Sequence, residues 1–486
     1  MEIRTPDWVQ DAVFYQIFPD RFAQSRRVPK PGNLEPWASP PTACGFKGGD
    51  LLGAAERLDY LQDLGITAVY LTPIFASTAN HRYHTHDYFS VDPILGGNQA
   101  LRELLDAAHR RGIRVVLDGV FNHASRSFYQ FSHTLENGAK SPYLDWFHFD
   151  LPRLKAGKPL DAYPRGPGPC RPGYAAWWNL PALPKFNTRT PAVREFIFQV
   201  AEHWLRFGID GWRLDVPSEI DDDSFWREFR RRVKAVNPEA YIVGEIWGEA
   251  RRWLRGDQFD AVMNYHWTKA VLAGFCDRLD ADLIRQTNDY RQVRPFSLKR
   301  FSRTIDGLLG LYAPPVTRAQ LNLLDSHDTP RFLSLAGGDE TALRLAATFM
   351  FVFPGAPCIY YGDEIGLPGG KEPDCRRGFP WDRGLWNHGL RDFFKNLSAL
   401  RQAHPALRRG SFQGLHAQDG IYALLRRHKT DAILAAFNLA REPRCAAFRV
   451  PWRRWLGVAD GDSHIARHGR LELRLPPRSS LLLRRP

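Results

Sequence analysis

The sequence predicts an α/β fold, a (β/α)8 barrel interrupted once and followed by a β-rich tail. Three observations predict it. Short, mostly apolar runs alternate eight times with runs of helical spacing over residues 12–403. The alternation breaks only at 122–187, where aromatics, Pro and Gly crowd together. Beyond residue 403 the helical period gives way to short alternating runs.

The elements follow in order. Ala12 to Phe18 reads as a first strand, stopped by Pro19. Residues 24–47 read as a long loop. Leu51 to Leu64 carries leucines at 51, 52, 58, 61 and 64, the spacing of a helix, and Gly65 ends it. Thr67–Leu71 is a second strand, Ala100–Arg111 a helix ended by Gly112, and Ile113–Val120 a third strand. After the interruption come helix Pro191–Phe207, strand Ile209–Asp215, helix Ser224–Ala235 and strand Tyr241–Glu245. A short sixth strand spans Phe259–Met263, and residues 266–316 are mostly helical. Leu321–Leu324, helix Ala342–Phe351 and Cys358–Tyr361 complete eight strands. Helix Leu390–Ala403 leads to the tail, with strands at Ile421–Arg426, Ala432–Asn438, Leu471–Leu475 and Leu481–Leu483. The domains expected are the barrel at 1–121 and 188–403, an insertion at 122–187, and a tail at 404–486 that supports the barrel.

Composition narrows the function classes. Hydrophobic residues make up 44% and charged residues 24%, the balance of a globular enzyme. The formal charge is +13, but the basic clusters at Arg230–Lys234, Arg251–Arg255 and Arg426–Lys429 come with no nucleic-acid motif. They read as solvated faces, and no nucleic-acid partner is expected. Six scattered Cys lack zinc spacing and predict free thiols in a reducing compartment. Met1–Phe22 has no signal-peptide core, and no apolar run nears the roughly 18 residues of a membrane span. No membrane partner is expected, and the default location is cytoplasmic.

The chemistry centres on Gly211-Trp212-Arg213-Leu214-Asp215. On a buried strand Arg213 and Asp215 share one face, where a cation and a carboxylate must be paired or used. Arg213 is expected to lower the pKa of Asp215 and hold it ionised, as a carboxylate nucleophile requires; a purely structural pair is the alternative. Working residues of such barrels lie at the strands' C-terminal ends. There stand Asp118, Asn122 and His123 after the third strand, Glu245 and Trp247 after the fifth, and His327, Asp328 and Arg331 after the seventh. Asp215 and Glu245 end neighbouring strands. Their carboxyls can stand roughly 5–5.5 Å apart, the separation of a retaining glycosidase. Trp247 beside Glu245 suits a general acid of raised pKa, and Asp328 would steady an oxocarbenium-like charge. His123 and His327 are candidate donors to sugar hydroxyls.

These motifs together resemble the α-amylase superfamily, glycoside hydrolase family 13. The matches are Asp118-Gly119-Val120-Phe121-Asn122-His123, Gly211 to Asp215, Gly244-Glu245-Ile246-Trp247 and Ser326-His327-Asp328, with Gly65 to Pro73 and Pro354 to Glu364 in support. The resemblance implies Asp215 as nucleophile, Glu245 as acid/base and Asp328 as transition-state stabiliser. It implies a B domain at 122–187, a C-terminal β-sandwich, and Tyr83 stacking under the sugar at the cleavage site. Leu183 to Asn187, Trp253 to Asp260, Val262 to Tyr265 and Pro373 to Arg377 are similar to the cyclomaltodextrinase, neopullulanase and maltogenic amylase subgroup. In that subgroup Arg376 and Glu372 would hold the next glucose unit inward, while Trp247, Lys185 and Phe186 would shape the cleft.

The implied activity is hydrolysis of α-1,4 links in cyclodextrins and maltooligosaccharides, reaching to α-1,6 links in pullulan or branched oligosaccharides. Transfer to a sugar acceptor uses the same residues and stays open. A non-catalytic relative should have lost a carboxylate, and all three are present. Departures from the subgroup are also plain. The barrel starts almost at once, without the usual N-terminal β domain, so monomer and homodimer both stay open. His84 stands in place of Asp, and Val216-Pro217-Ser218-Glu219 replaces a more usual Val-Ala-Asn-Glu. The loop after Arg21 lacks the Asn/Asp-rich calcium pattern, leaving Asp50 alone against the six to eight oxygens such an ion takes. No cofactor is required on this reading, and calcium is not predicted.

Overall fold

A computed structural model describes residues 3–164 and 171–486. In chain order, the strands ahead of the tail are β1 (Phe14–Ile17), β2 (Ala68–Leu71), β3 (Phe75–Ser77), β4 (Thr85–Val91), β5 (Arg114–Gly119), β6 (Gly211–Leu214), β7 (Tyr241–Gly244), β8 (Ala261–Val262), β9 (Leu321–Leu323) and β10 (Ala356–Tyr360). β3 and β4 form a hairpin that loops out after β2. The other eight make one parallel sheet in the order β8-β7-β6-β5-β2-β1-β10-β9. A parallel bridge from Met263 to Leu321 joins its two ends, closing the barrel. Every barrel strand but β5, whose first residue is exposed, is buried throughout, as parallel strands covered by helices must be.

The helices follow from local signals. Pro191–Phe207 starts with Pro at its first position and stops at Gly208, whose φ of 115° an L side chain rarely adopts. The helix expected over Leu51–Leu64 is instead two, Leu51–Glu56 and Leu58–Asp63, parted at Arg57. The leucine spacing continues across the break, so periodicity cannot show it. The β3–β4 hairpin is absent from the sequence expectation; both strands sit among the barrel's loops, and Tyr83 lies at their turn.

The tail is a sandwich of two antiparallel sheets. One holds β11 (Ser411–Gln418), β12 (Ile421–His428), β13 (Asp431–Asn438), β15 (Arg454–Gly457), β16 (Ser463–Ile465) and β18 (Ser479–Arg484). The other pairs β14 (Arg444–Arg449) with β17 (Arg470–Leu475). Two buried arginines tie the tail to the barrel by donating to carbonyls across the seam, Arg426 of the tail to Val352 and Arg401 of the barrel's last helix to Leu407 at 3.1 Å. Phe437 packs edge-on to Phe275 across the same seam.

The five described cysteines, 44, 276, 358, 375 and 445, carry free thiols; Cys170 lies outside the described residues. No described helix is long and apolar enough to cross a membrane.

Candidate functional site

The register of the sheet sets the site. Asp118 on β5 pairs with Arg213 on β6, and Leu214 pairs with Gly244 on β7. Asp215 and Glu245 therefore step off adjacent strands at the same height.

Arg213, fully buried, sits between three carboxylates. Its Nη1 donates to both oxygens of Asp118 at 3.0 Å and to Asp215 Oδ1 at 3.1 Å. Its Nη2 lies 3.0 Å from Glu245 Oε2, a charge contact outside hydrogen-bond alignment. The Arg213–Asp215 pair is present, but its setting corrects the expectation that Arg213 brings the Asp215 pKa below its ordinary value. One positive charge is shared three ways, and burial and then Glu245 push the Asp215 carboxyl up against the pull of Arg213. Burial brings Glu245 up to about 7, opposed by Arg213 and by the N–H groups of Val216 and Trp247. The two carboxyls titrate as a pair, which favours one proton held between them.

The oxygens are not equivalent. Glu245 Oε1 accepts from the Trp247 indole at 3.0 Å, and Oε2 from the Val216 N–H at 3.0 Å. Asp215 Oδ2 is buried and has no partner. A carboxylate oxygen held free beside an anchored one is what attack on carbon requires.

A relay supports the opposite wall. The Gln16 amide donates to His327 Nδ1 at 2.7 Å, which leaves the proton on Nε2. Nε2 lies 2.5 Å from the Tyr83 hydroxyl, which in turn donates to Asp118 at 3.0 Å. The two rings are parallel within 3°, centroids 5.6 Å apart. Burial keeps His327 neutral, its pKa well below the usual value. Asp328, part-exposed, lies 3.2 Å from His327 Nε2 and 3.2 Å from Arg376 Nη2. Arg376 also pairs with Glu372 and donates from Nε to the His327 carbonyl at 2.8 Å.

The insertion supplies the third wall. His123 is buried, and burial lowers its pKa to about 3. Asn122 Nδ2 faces its Nδ1 at 3.3 Å, and its Nε2 has no partner. The ring stacks on Trp177 at 5.3 Å, and Trp177 stacks on Trp178 at 4.6 Å. Trp178 is 72% exposed. These parallel rings run from the buried histidine to solvent. The site motifs do not include them, although two adjacent Trp in a Pro-rich loop are the signal that could have found them. Lys185, bridged through its backbone to His123, reaches Glu219 at 3.1 Å.

Two expected residues lie elsewhere. Phe186 is buried among Phe128, Phe147 and Tyr88, where it builds the insertion's own core and not the cleft. Arg331 has no exposed surface; its guanidinium pairs with Asp363 at 2.9 Å and lies over Tyr360. Trp247 is half-buried and stacks on Tyr265 at 3.7 Å.

Among the described residues no group of three or more His, Cys, Asp or Glu is arranged to hold a metal. In the loop after Arg21, Asp50 caps a helix and pairs with Lys30 at 2.8 Å.

Comparison with known proteins adds to this geometry. A family model described as the alpha amylase catalytic domain matches residues 16–409. A cyclomaltodextrinase of a Bacillus species is 46% identical over 437 residues, 89% of this chain and 73% of that protein. Neopullulanase 2 of Thermoactinomyces vulgaris is 41% identical over 494 residues, 99% of this chain and 78% of its own. The crystal structure of a Nostoc punctiforme debranching enzyme superposes with a TM-score of 0.87 at 48% identity, covering 99% of this chain and 100% of that one.

Proposed function

The chain belongs to the α-amylase family and is an α-glucan hydrolase, and from that premise we propose that it is a retaining enzyme acting by double displacement on small or cyclic α-glucans. The observation that carries the reading is the pair of carboxyls beside Arg213: Asp215 with one free buried oxygen, Glu245 with its pKa near 7.

In the first step Glu245 gives its proton to the leaving glycosidic oxygen while Asp215 Oδ2 attacks the anomeric carbon. The C1–O bond breaks and a glycosyl ester forms. Glu245, now ionised, keeps Arg213 and the Val216 N–H as partners. In the second step it takes a proton from water, whose oxygen attacks C1 and expels Asp215, restoring both groups. Asp328, steadied by Arg376 and His327, faces the developing positive charge. His123 offers its Nε2 proton to a ring hydroxyl. Tyr83 presents its ring as a floor, and Trp177 with Trp178 extends the cleft outward. Lys185 and Glu372 stand at its edges. Every proton moves between this chain's own groups, the sugar and water.

The names of the relatives support cyclodextrins and linear maltooligosaccharides as substrates, with α-1,6 links as a second target. The test is product analysis on β-cyclodextrin, soluble starch and pullulan, with Asp215→Asn as the blank and the anomer followed by NMR. Fast ring opening with the α-anomer released first is expected. Release of the β-anomer, or rapid loss of starch viscosity with cyclodextrin untouched, overturns the reading.

A further inference from the structure

Charge is distributed unevenly along this chain. Residues 404–486 hold sixteen Lys and Arg against six Asp and Glu, which accounts for ten of the thirteen excess positive charges. Many of these arginines are neutralised: Arg408 and Arg409 by Asp11, Arg441 and Arg478 by Asp277, Arg444 by Glu442. Three that are not lie together. Among the described residues, Arg427, Arg449 and Arg485 form no ion pair.

The sheet explains the grouping. Ile421, Ala423 and Leu425 alternate inward along β12 to the sandwich core. Arg427 is next in that row, at the open end of the sandwich. Across the strands it aligns with Ser411 and Ala432, and the Arg485 N–H bonds the Ala432 carbonyl at 3.0 Å. Arg427 and Arg485 flank half-buried Trp452, at 5.4 and 4.9 Å from its ring centre. Between the sheets at this end lies a cavity of about 300 Å³. Leu415 and Leu425 give it an apolar floor, Ser411 and Gln413 a polar side, and Arg427 and Arg449 a cationic rim.

We infer that this cavity is a binding site for a phosphate monoester carried on a glucose unit. Guanidinium forks match phosphate oxygens, and unpaired arginines lose no ion pair when they bind. The apolar floor with hydroxyl- and amide-bearing sides suits a sugar ring. The volume is at the lower end of small-ligand pockets, room for one sugar unit and not for a nucleic-acid track, which needs many phosphate contacts. The sugar part of this assignment rests on the α-glucan reading above; binding is measured separately from hydrolysis, so the two can fail independently.

The test uses the full chain carrying Asp215→Asn, so that polymer is not consumed. Its migration is measured in native gels containing phosphorylated amylopectin, and in gels with the same polymer after phosphatase treatment. Stronger retardation by the phosphorylated polymer is expected. Arg427→Ala/Arg449→Ala should weaken that binding at least about tenfold, the worth of a charge-assisted hydrogen bond. Arg467→Ala/Arg474→Ala, which removes equal charge outside the cavity, should cost under about twofold, as expected of screened surface charge. Unchanged hydrolysis of β-cyclodextrin by the Arg427/Arg449 variant with Asp215 restored shows that it folds. Release by glucose 6-phosphate identifies a free sugar phosphate as sufficient, and retention despite it identifies phosphate on the polymer; both support the site. Equal retardation before and after phosphatase, or equal loss in both double variants, overturns it. Tighter binding of a single-stranded DNA oligonucleotide that the Arg427/Arg449 variant abolishes overturns it in favour of a nucleic acid.

Discussion

The backbone N–H of Val216 donates to Glu245 Oε2 at 3.0 Å from a left-handed conformation, φ 34° and ψ 49°. A β-branched residue is rarely found there, and such strain costs about 1–3 kcal/mol. Val216 directly follows Asp215, so the strained turn links the two carboxyls. Val216→Gly keeps the N–H and removes the strain. It should leave the protein as stable or up to about 1 kcal/mol more stable, and lower kcat because the turn is no longer held. Urea unfolding and kcat measured together decide the matter. A destabilised variant of full activity would show that the turn stores nothing.

On the proposed mechanism, Glu245, brought up to about 7 by burial, should set the alkaline side of the pH profile. As the general acid it must carry a proton, so kcat/KM should fall as pH rises through about 7. The Trp247 N–H stabilises the ionised form, so Trp247→Phe should move that limb to higher pH. A limb that stays in place under this substitution would mean that Trp247 only packs against Tyr265.

The same shift predicts stability. The folded pKa of Glu245 is raised above the ordinary carboxylate value of about 4.3, so the folded state binds the proton more tightly. Its contribution is full below the ordinary value and is lost as pH rises through about 7. Glu245→Gln removes that loss. The variant should gain roughly 1–3 kcal/mol more relative to the parent at pH 8 than at pH 5, read from denaturant midpoints.

Trp178 is exposed, stacked on Trp177, and holds φ 50°. An exposed ring contributes little to folding, and on the proposed function it offers a face on which a sugar can stack. Trp178→Ala should change stability by less than about 0.5 kcal/mol. It should lower kcat/KM on long maltooligosaccharides about 3–10-fold while sparing the shortest substrates, the value of one stacking contact. Equal losses on short and long substrates would place the ring's effect at the reacting bond.

Much of this architecture is legible in the amino-acid sequence. The eight strands can be read because a parallel strand covered on both faces leaves an unbroken apolar run, as in Tyr241–Gly244. Asp215, Glu245 and Asp328 can be read because each closely follows such a run. What escapes is whatever depends on distant pairing. Arg331 has the right position in sequence, but Asp363 and Tyr360, about thirty residues on, draw it away from the cleft. Phe186 follows Lys185 in a promising motif, yet its partner rings come from Tyr88 and Phe128. The shared charge of Arg213 is of the same kind: Asp118 lies ninety-five residues earlier, and only the register of β5 with β6 brings it into contact.

The long loop over residues 24–47 ends at a buried lysine that the loop's own oxygens surround. Lys47 is fully buried, and its ammonium donates to the carbonyls of Pro36 at 2.8 Å and Ser39 at 2.7 Å, and to the Ser39 hydroxyl at 3.0 Å. Glu35 Oε2 lies 3.7 Å away. These oxygens are organised around a charge carried by the chain itself. Lys47→Met fills the volume but leaves those oxygens without a donor. It should cost about 2–4 kcal/mol in urea unfolding, since hydrogen bonds to a charged group are worth about 1.5–3 kcal/mol. In the parent, exhaustive chelation should leave the Tm where it was. A fall in Tm on chelation that calcium reverses would mean that an ion, and not Lys47 alone, holds the loop.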